Sequence, residues 1–81
     1  MSTQNTIRWR EAFPEYTKEE YPAVCLRAAR YRECLTQREL AVLAEIPQAH
    51  ISLMERGKMP IGVTRAKRLA KALNTGYKVF L

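Results

Sequence analysis

The sequence predicts a small all-α domain, and three features support this fold class. Thr36 and Glu39 have the spacing of a capping box, in which each side chain accepts the other residue's backbone N–H at the start of a helix. A further helix is indicated by four apolar residues at positions i, i+3, i+4 and i+7, namely Ala66, Leu69, Ala70 and Leu73. Finally, a chain of 81 residues forms one domain, and a helical bundle is the simplest way for it to enclose a core.

Charge is distributed unevenly along the chain. The sequence has 14 basic and 8 acidic side chains, a net charge of +6 and a pI near 9.8. Residues 1–21 carry a net charge of −1, with three basic and four acidic side chains, whereas residues 22–81 carry +7, with eleven and four. We therefore predict an N-terminal leader, residues 1–21, followed by a basic domain, residues 22–81, that binds a polyanion. Solubility alone is the alternative explanation of the charge.

The leader is rich in large rings, including Trp9, Phe13 and Tyr16. Residues 6–13 fit either a strand, because apolar and basic residues alternate, or a helix that ends near Pro14. We expect an extended or irregular leader whose rings either cover a small core or contact a second copy or another protein. A disordered leader is the third alternative.

The first helix of the domain is predicted from about residue 22 to residue 33. Pro22 suits a first helical turn, where its missing N–H would have no partner in any case. Leu26 and Ala29 face inward. The second helix covers residues 36–44.

Leu40 and Ala44 face inward on this second helix. Leu43 lies off that face, so it is either partly exposed or covered by the leader. Ile46 follows the helix and is expected to fill the core between the second and third helices.

A third helix is predicted over residues 47–56, with Pro47 in its first turn and Gly57 at its end. Ile51 and Met54 are its inward residues. The fourth helix runs from about residue 63 to residue 73. The last five residues are apolar enough to dock on the core as one short turn, and Tyr77 and Phe80 among them are further interaction candidates beside the leader rings.

The outward side of the third helix is a small polar face on a basic protein. Four of its six side chains can form hydrogen bonds, as a surface that reads base edges must. The residues concerned are Gln48, Ala49, His50, Ser52, Leu53 and Arg56. A simple solvated face is the alternative.

Four segments in order resemble the Cro/C1-type helix-turn-helix family, also called Xre-like or lambda-repressor-like. They are LRAAR at 26–30, LTQREL at 35–40, IPQAHISLMERGK at 46–58 and RLAKAL at 68–73. The resemblance covers roughly residues 22–81 and implies a five-helix all-α domain. In that fold the second helix crosses the DNA backbone and the third enters the major groove.

The resemblance also implies a role for each outward residue. Gln48 is the main base reader, because its amide can bond the N6 and N7 edge of adenine. Ala49 and Leu53 suit thymine methyls, so we expect an A·T-leaning half-site. His50 and Ser52 reach a base edge or a phosphate. Phosphate contacts are expected from Gln37, Arg38, Arg56, Lys58 and Arg65.

In the family, the positions of Arg30 and Glu55 form an ion pair across the core, and we expect the same buried pair here. The chain departs from the family at three positions. Cys34 and Glu45 stand where glycine is common at helix ends, which predicts strain or a different turn. Pro47 replaces the usual Ser or Thr at the start of the third helix.

Nothing in the sequence indicates an enzyme, a cofactor or a metal site. The chain has one histidine and no aspartate, so a Ser–His–Asp arrangement cannot form. Cys25 and Cys34 would face opposite sides of one helix, and they leave too few ligands for zinc. No apolar run is long enough to span a bilayer and no signal-peptide pattern is present, so we expect a cytoplasmic protein without membrane contact.

Two functions are consistent with these features. The first is a repressor that binds double-stranded DNA at a palindromic operator as a homodimer. The alternative is an antitoxin that binds a toxin protein through its aromatic leader and also represses its own operon.

Overall fold

The computed structural model describes residues 17–81, which form four α-helices between two short 3₁₀ helices. The α-helices are α1, Tyr21–Arg32; α2, Gln37–Ala44; α3, Gln48–Glu55; and α4, Gly62–Leu73. The 3₁₀ helices are Lys18–Glu20 and Tyr77–Phe80. No strand occurs within residues 17–81, which confirms the all-α class for that part of the chain. The five-helix count is not confirmed, because the last element is a 3₁₀ helix.

Each of the four predicted helices is present, with both ends within one residue of the prediction. The predictions for Trp9, Phe13 and Tyr16 lie outside the described residues.

The core is built from all four α-helices and the C-terminal 3₁₀ helix. α2 packs on both α3 and α4, α1 packs on α3, and the C-terminal 3₁₀ helix lies against α1 and α4. The predicted inward residues of each helix are buried: Leu26, Ala29, Leu40, Ala44, Ile51, Met54, Ala66, Leu69, Ala70 and Leu73. Ile46 is also buried, as predicted, and Ile61 joins it from the connection before α4.

Phe80 corrects one prediction. We expected it as an interaction candidate, but its side chain is only 1% exposed and belongs to the core. A ring at this position closes the end of the bundle between α1 and α4, so it is not available to a partner. Tyr77 is half-buried, with the Lys67 ammonium 5.3 Å from its ring centre.

The start of α2 is fixed by the capping box expected from the sequence. The Thr36 hydroxyl accepts the Glu39 N–H at 3.0 Å, and the Glu39 carboxylate accepts the Thr36 N–H at 2.8 Å. The start of α3 differs from the prediction by one residue. Pro47 has an extended ψ of 140° and is the N-cap, so Gln48 is the first helical residue.

All four α-helices end in the same way. The residue after each helix, or one position later, has a left-handed backbone, with φ of 57° at Cys34, 57° at Glu45, 70° at Gly57 and 55° at Asn74. The Leu35 N–H then reaches back to the Arg30 carbonyl at 3.1 Å and the Ile46 N–H to the Ala41 carbonyl at 3.1 Å. These are the bonds of the Schellman motif, so Cys34 and Glu45 occupy an ordinary helix end that glycine would adopt more easily.

We expect Glu45→Gly to raise the free energy of unfolding by about 1 kcal/mol, because a side chain in the left-handed region costs roughly that much and glycine removes the cost. The carbonyl of residue 45, which accepts a bond from Arg68, is retained in the variant. Urea unfolding measures the change. Asn74→Gly is the matched control and should gain less, since asparagine adopts this conformation readily. Equal gains at both positions would contradict the strain at Glu45.

Candidate nucleic-acid interface

The buried side of α3 is defined by Ile51, Met54 and Glu55, each no more than 2% exposed. Because successive residues turn by about 100° around a helix, the opposite side of α3 points away from the core. That outward side and its flanks carry the residues predicted to read bases and one predicted phosphate contact: Gln48, Ala49, His50, Ser52, Leu53 and Arg56.

These side chains differ in their exposure. Gln48 and Ala49, in the first turn of α3, are exposed, whereas His50, Ser52 and Leu53 are half-buried. A duplex laid along α3 would therefore meet the Gln48 amide and the Ala49 methyl first. Within residues 17–81 no side chain caps the start of α3, where the helix dipole places partial positive charge. This end of α3 is electrostatically suited to a phosphate or to acceptor groups on bases.

α3 is held in place by an ion pair with α1. The Arg30 Nε lies 2.5 Å from Glu55 Oε2, and a second guanidinium nitrogen lies 2.9 Å from Glu55 Oε1. The pair is bidentate and buried, with side-chain exposures of 9% and 2%. The remaining Arg30 nitrogen donates to the Leu35 carbonyl at 2.9 Å, which ties the pair to the end of α1.

Two further residues extend this pair, and the sequence did not indicate either bond. The Gln37 amide donates to Glu55 Oε1 at 3.1 Å, and the Arg27 guanidinium donates to the Glu55 backbone carbonyl at 2.7 Å. Glu55 therefore connects α1, α2 and α3. We expected Gln37 to contact phosphate; in the structure it is half-buried and its amide also orients Glu55.

The hydrogen bond from Arg30 to the Glu55 carboxylate raises the pKa of Arg30 above the ordinary arginine value, and the negative charge of Glu55 acts in the same direction. Burial lowers the pKa of Arg30, but this effect is smaller than that of the hydrogen bond. A raised pKa means that the stabilisation is complete below the pKa of the unfolded chain and is lost only as the pH rises through the folded value. At neutral pH the Arg30 side of the ion pair is therefore fully charged.

The predicted phosphate contacts fall into two groups. Arg38 and Lys58 are exposed. Arg56 is exposed but turns back along α3, where its Nε donates to the Ser52 carbonyl at 3.3 Å. Arg65 is half-buried and donates to the carbonyls of the connection before α4 at 3.3 and 3.4 Å. Phosphate binding by Arg56 or Arg65 must compete with these bonds or use the other guanidinium nitrogens.

Three arginines outside the predicted site stabilise helix C-termini. Arg27 donates to the last carbonyl of α3, Arg32 to the Leu73 carbonyl at the end of α4, and Arg68 to the Glu45 carbonyl after α2. A guanidinium at a helix C-terminus satisfies an unpaired carbonyl and opposes the negative end of the helix dipole. Part of the positive charge of the domain thus has a structural role.

The described residues hold neither a membrane-spanning helix nor a group of side chains suited to a metal ion. No helix within residues 17–81 is long and apolar enough to cross a bilayer. In the same range, no three His, Cys, Asp or Glu side chains come together as ligands.

Two packed helices, with the second presenting an exposed polar face from a basic bundle, define a DNA-binding helix-turn-helix protein. Comparison with known proteins narrows this class. The family model described as helix-turn-helix matches residues 26–80, and the chain belongs to this Cro/C1-type family of transcriptional regulators.

Two individual proteins are similar to the chain. The uncharacterized HTH-type transcriptional regulator y4dL of Sinorhizobium fredii is 40% identical over 57 residues, which are 70% of this chain and 29% of that protein. The chain thus spans less than a third of that relative. The crystal structure of the restriction-modification controller protein C.AhdI of Aeromonas hydrophila matches with a TM-score of 0.73 and 24% identity, over 82% of this chain and all of that one. This second likeness shows the fold.

Proposed function

We propose that the protein is a sequence-specific repressor that binds a palindromic operator as a homodimer, with α3 in the major groove. The observation that carries the proposal is the exposed first turn of α3, Gln48 and Ala49, on a helix whose far end is fixed by the buried Arg30–Glu55 pair. A fixed reading helix is what base recognition needs, because hydrogen bonds to base edges depend on orientation.

Dimerisation follows from the size of the reading surface. α3 has eight residues and presents only a few side chains to the groove, so one copy contacts few base pairs. Two copies related by a two-fold axis would read half-sites roughly 34 Å apart, about one turn of DNA. The two outermost readers, Gln48 and Ala49, favour adenine and the thymine methyl, so the half-site should lean towards A·T pairs.

Selection from a pool of random duplexes tests the proposal. Repeated gel-shift selection should enrich an inverted repeat, and the enriched duplex should stay bound at a salt concentration that releases a scrambled duplex. Retention of all sequences alike, abolished by a modest rise in salt, would show that the protein binds by charge alone.

Lys58→Ala should weaken binding to the selected and the scrambled duplex by the same factor. An exposed lysine just after the reading helix contacts phosphate, which carries no sequence information. Loss of one such contact should reduce the slope of log affinity against log salt by about 1.

Lys71→Ala is the matched control. Lys71 is exposed in the last turn of α4, a helix that packs on α2. Its loss should leave the salt slope nearly unchanged. A larger change of slope for Lys71→Ala than for Lys58→Ala would place the DNA on another face of the domain.

A further inference from the structure

A groove of about 340 Å³ lies between α1 and the C-terminal 3₁₀ helix, on a part of the surface that the proposed DNA contact does not use. Its walls are mainly apolar and include Val24 and Ala28 of α1 and Val79 of the 3₁₀ helix. Ala28 and Val79 are exposed, and Val79 is 47% exposed. Apolar side chains grouped in a groove offer a place where a further apolar segment can pack.

The groove continues to the point where the described chain begins. A second depression, lined by Lys18, Tyr21 and Leu81, shares Cys25 and Val79 with the groove. The two form one path that starts beside residue 18 and runs along α1. The chain is anchored at this point, because the Glu20 carboxylate accepts the Thr17 N–H at 2.8 Å. The described chain therefore begins at the open end of the groove.

The composition of residues 1–16 matches the groove. They contain Trp9 and Phe13, whose rings suit an apolar channel. Residues 11–16, EAFPEY, hold two glutamates and no basic residue, whereas the rim of the groove carries Lys18, Arg32 and Lys78. Charge and hydrophobicity are thus both complementary around Phe13, whereas Trp9 lies between Arg8 and Arg10 and contributes its apolar ring alone.

The rings are also within reach of the groove. Phe13 lies four residues before Thr17, which corresponds to roughly 13 Å of extended chain, and Trp9 to roughly 26 Å. From Tyr21 to Ala28, α1 rises by only about 10 Å. The stretch from Thr17 to Tyr21, mostly the 3₁₀ helix, adds up to about 8 Å. Trp9 can therefore lie against Ala28 while the chain remains attached at Thr17, and Phe13 can reach the end of the groove near Val24.

We propose that residues 1–16 dock in this groove of the same chain, with Trp9 and Phe13 as the apolar anchors. The competing surface is the outer side of α2, where Val42 is 73% and Leu43 58% exposed. That surface is lined by residues of α2 and by Leu35. None of its residues adjoins Thr17, where the described chain begins, so the groove is favoured. Docking in the groove would also occupy the rings on which the antitoxin alternative depends.

Tryptophan fluorescence tests this docking in the full-length protein, because Trp9 is the sole tryptophan. The emission should be blue-shifted relative to the same protein in denaturant, protected from acrylamide, and independent of protein concentration. Val79→Lys, which places a charge in the groove, should move the emission towards the denatured value. Val42→Lys makes the same change on the exposed side of α2 and should leave the emission unaltered. Circular dichroism should show that both variants remain folded.

Three results would overturn the proposal. The first is wild-type emission equal to that of the denatured protein. The second is a shift of the emission that is caused by Val42→Lys and not by Val79→Lys, which would place residues 1–16 on α2. The third is a blue shift that disappears on dilution, which would show that the rings contact a second copy. If Val79→Lys does not fold, Ala28→Arg introduces a charge into the same groove from α1, and the same outcomes apply.

Discussion

Arg30→Met should lower the free energy of unfolding by about 3–5 kcal/mol, the usual cost of leaving one partner of a buried ion pair without the other. Glu55 would keep its bond from Gln37, at 3.1 Å, but would lose both bonds from the guanidinium. The Leu35 carbonyl would lose its donor as well. Because small domains are stable by about 5–15 kcal/mol, this is a large share of the total.

Chemical unfolding of Arg30→Met measures the effect, and Arg38→Met is the control variant. Arg38 is exposed on α2, so the same substitution there should change stability by no more than about 0.5 kcal/mol. The double variant Arg30→Met with Glu55→Met should lose less unfolding free energy than the two single variants lose together, because it buries no unpaired charge. An Arg30→Met protein that melts at the wild-type temperature would show that the pair does not hold α3.

Gln48→Ala should remove the preference for one base pair in each half-site. A bidentate contact between a glutamine amide and adenine contributes about 1–3 kcal/mol of discrimination, and alanine cannot make it. Gln48 is exposed in the first turn of α3, so its removal should leave the fold intact. Affinity for a scrambled duplex should change little, because that affinity comes from phosphate contacts.

The measurement is a repeat of the duplex selection with the variant. The sequence logos of the duplexes selected by the wild type and by Gln48→Ala should differ at one symmetric pair of positions and agree elsewhere. Lys58→Ala is the comparison, since it should weaken all duplexes and preserve the logo. A Gln48→Ala logo identical to that of the wild type would mean that a different part of α3 meets the bases.

The helices and their core could be predicted because they depend on local patterns. The capping box at Thr36 and the four-residue apolar pattern of α4 each involve residues within one or two turns of each other, so sequence spacing determines their geometry. Gly57 also ends α3 as expected, with a left-handed φ of 70°. The Arg30–Glu55 partnership was expected from the resemblance, since spacing alone does not link residues 25 positions apart.

Other features depend on tertiary contacts that no local pattern contains. Phe80 is a large aromatic residue of a type common at interfaces. It is buried in the core because the C-terminal 3₁₀ helix lies between α1 and α4. Arg32 and Arg68 look like solvent-facing charges in the sequence, yet each reaches a carbonyl at the end of another helix. Pro47 fits either the N-cap or the first turn by its sequence position, and its ψ of 140° makes it the N-cap.

The direct test of the central claim, that α3 reads bases in the major groove, is site-specific crosslinking from its outward side. A photoreactive side chain in place of Ala49, which is exposed in the first turn of α3, should crosslink to bases of the selected duplex in two blocks about one helical turn apart. The same group in place of Val42, exposed on the outer side of α2, should give no base crosslinks. Base crosslinks from position 42 and none from position 49 would contradict the assignment of α3 as the reading helix.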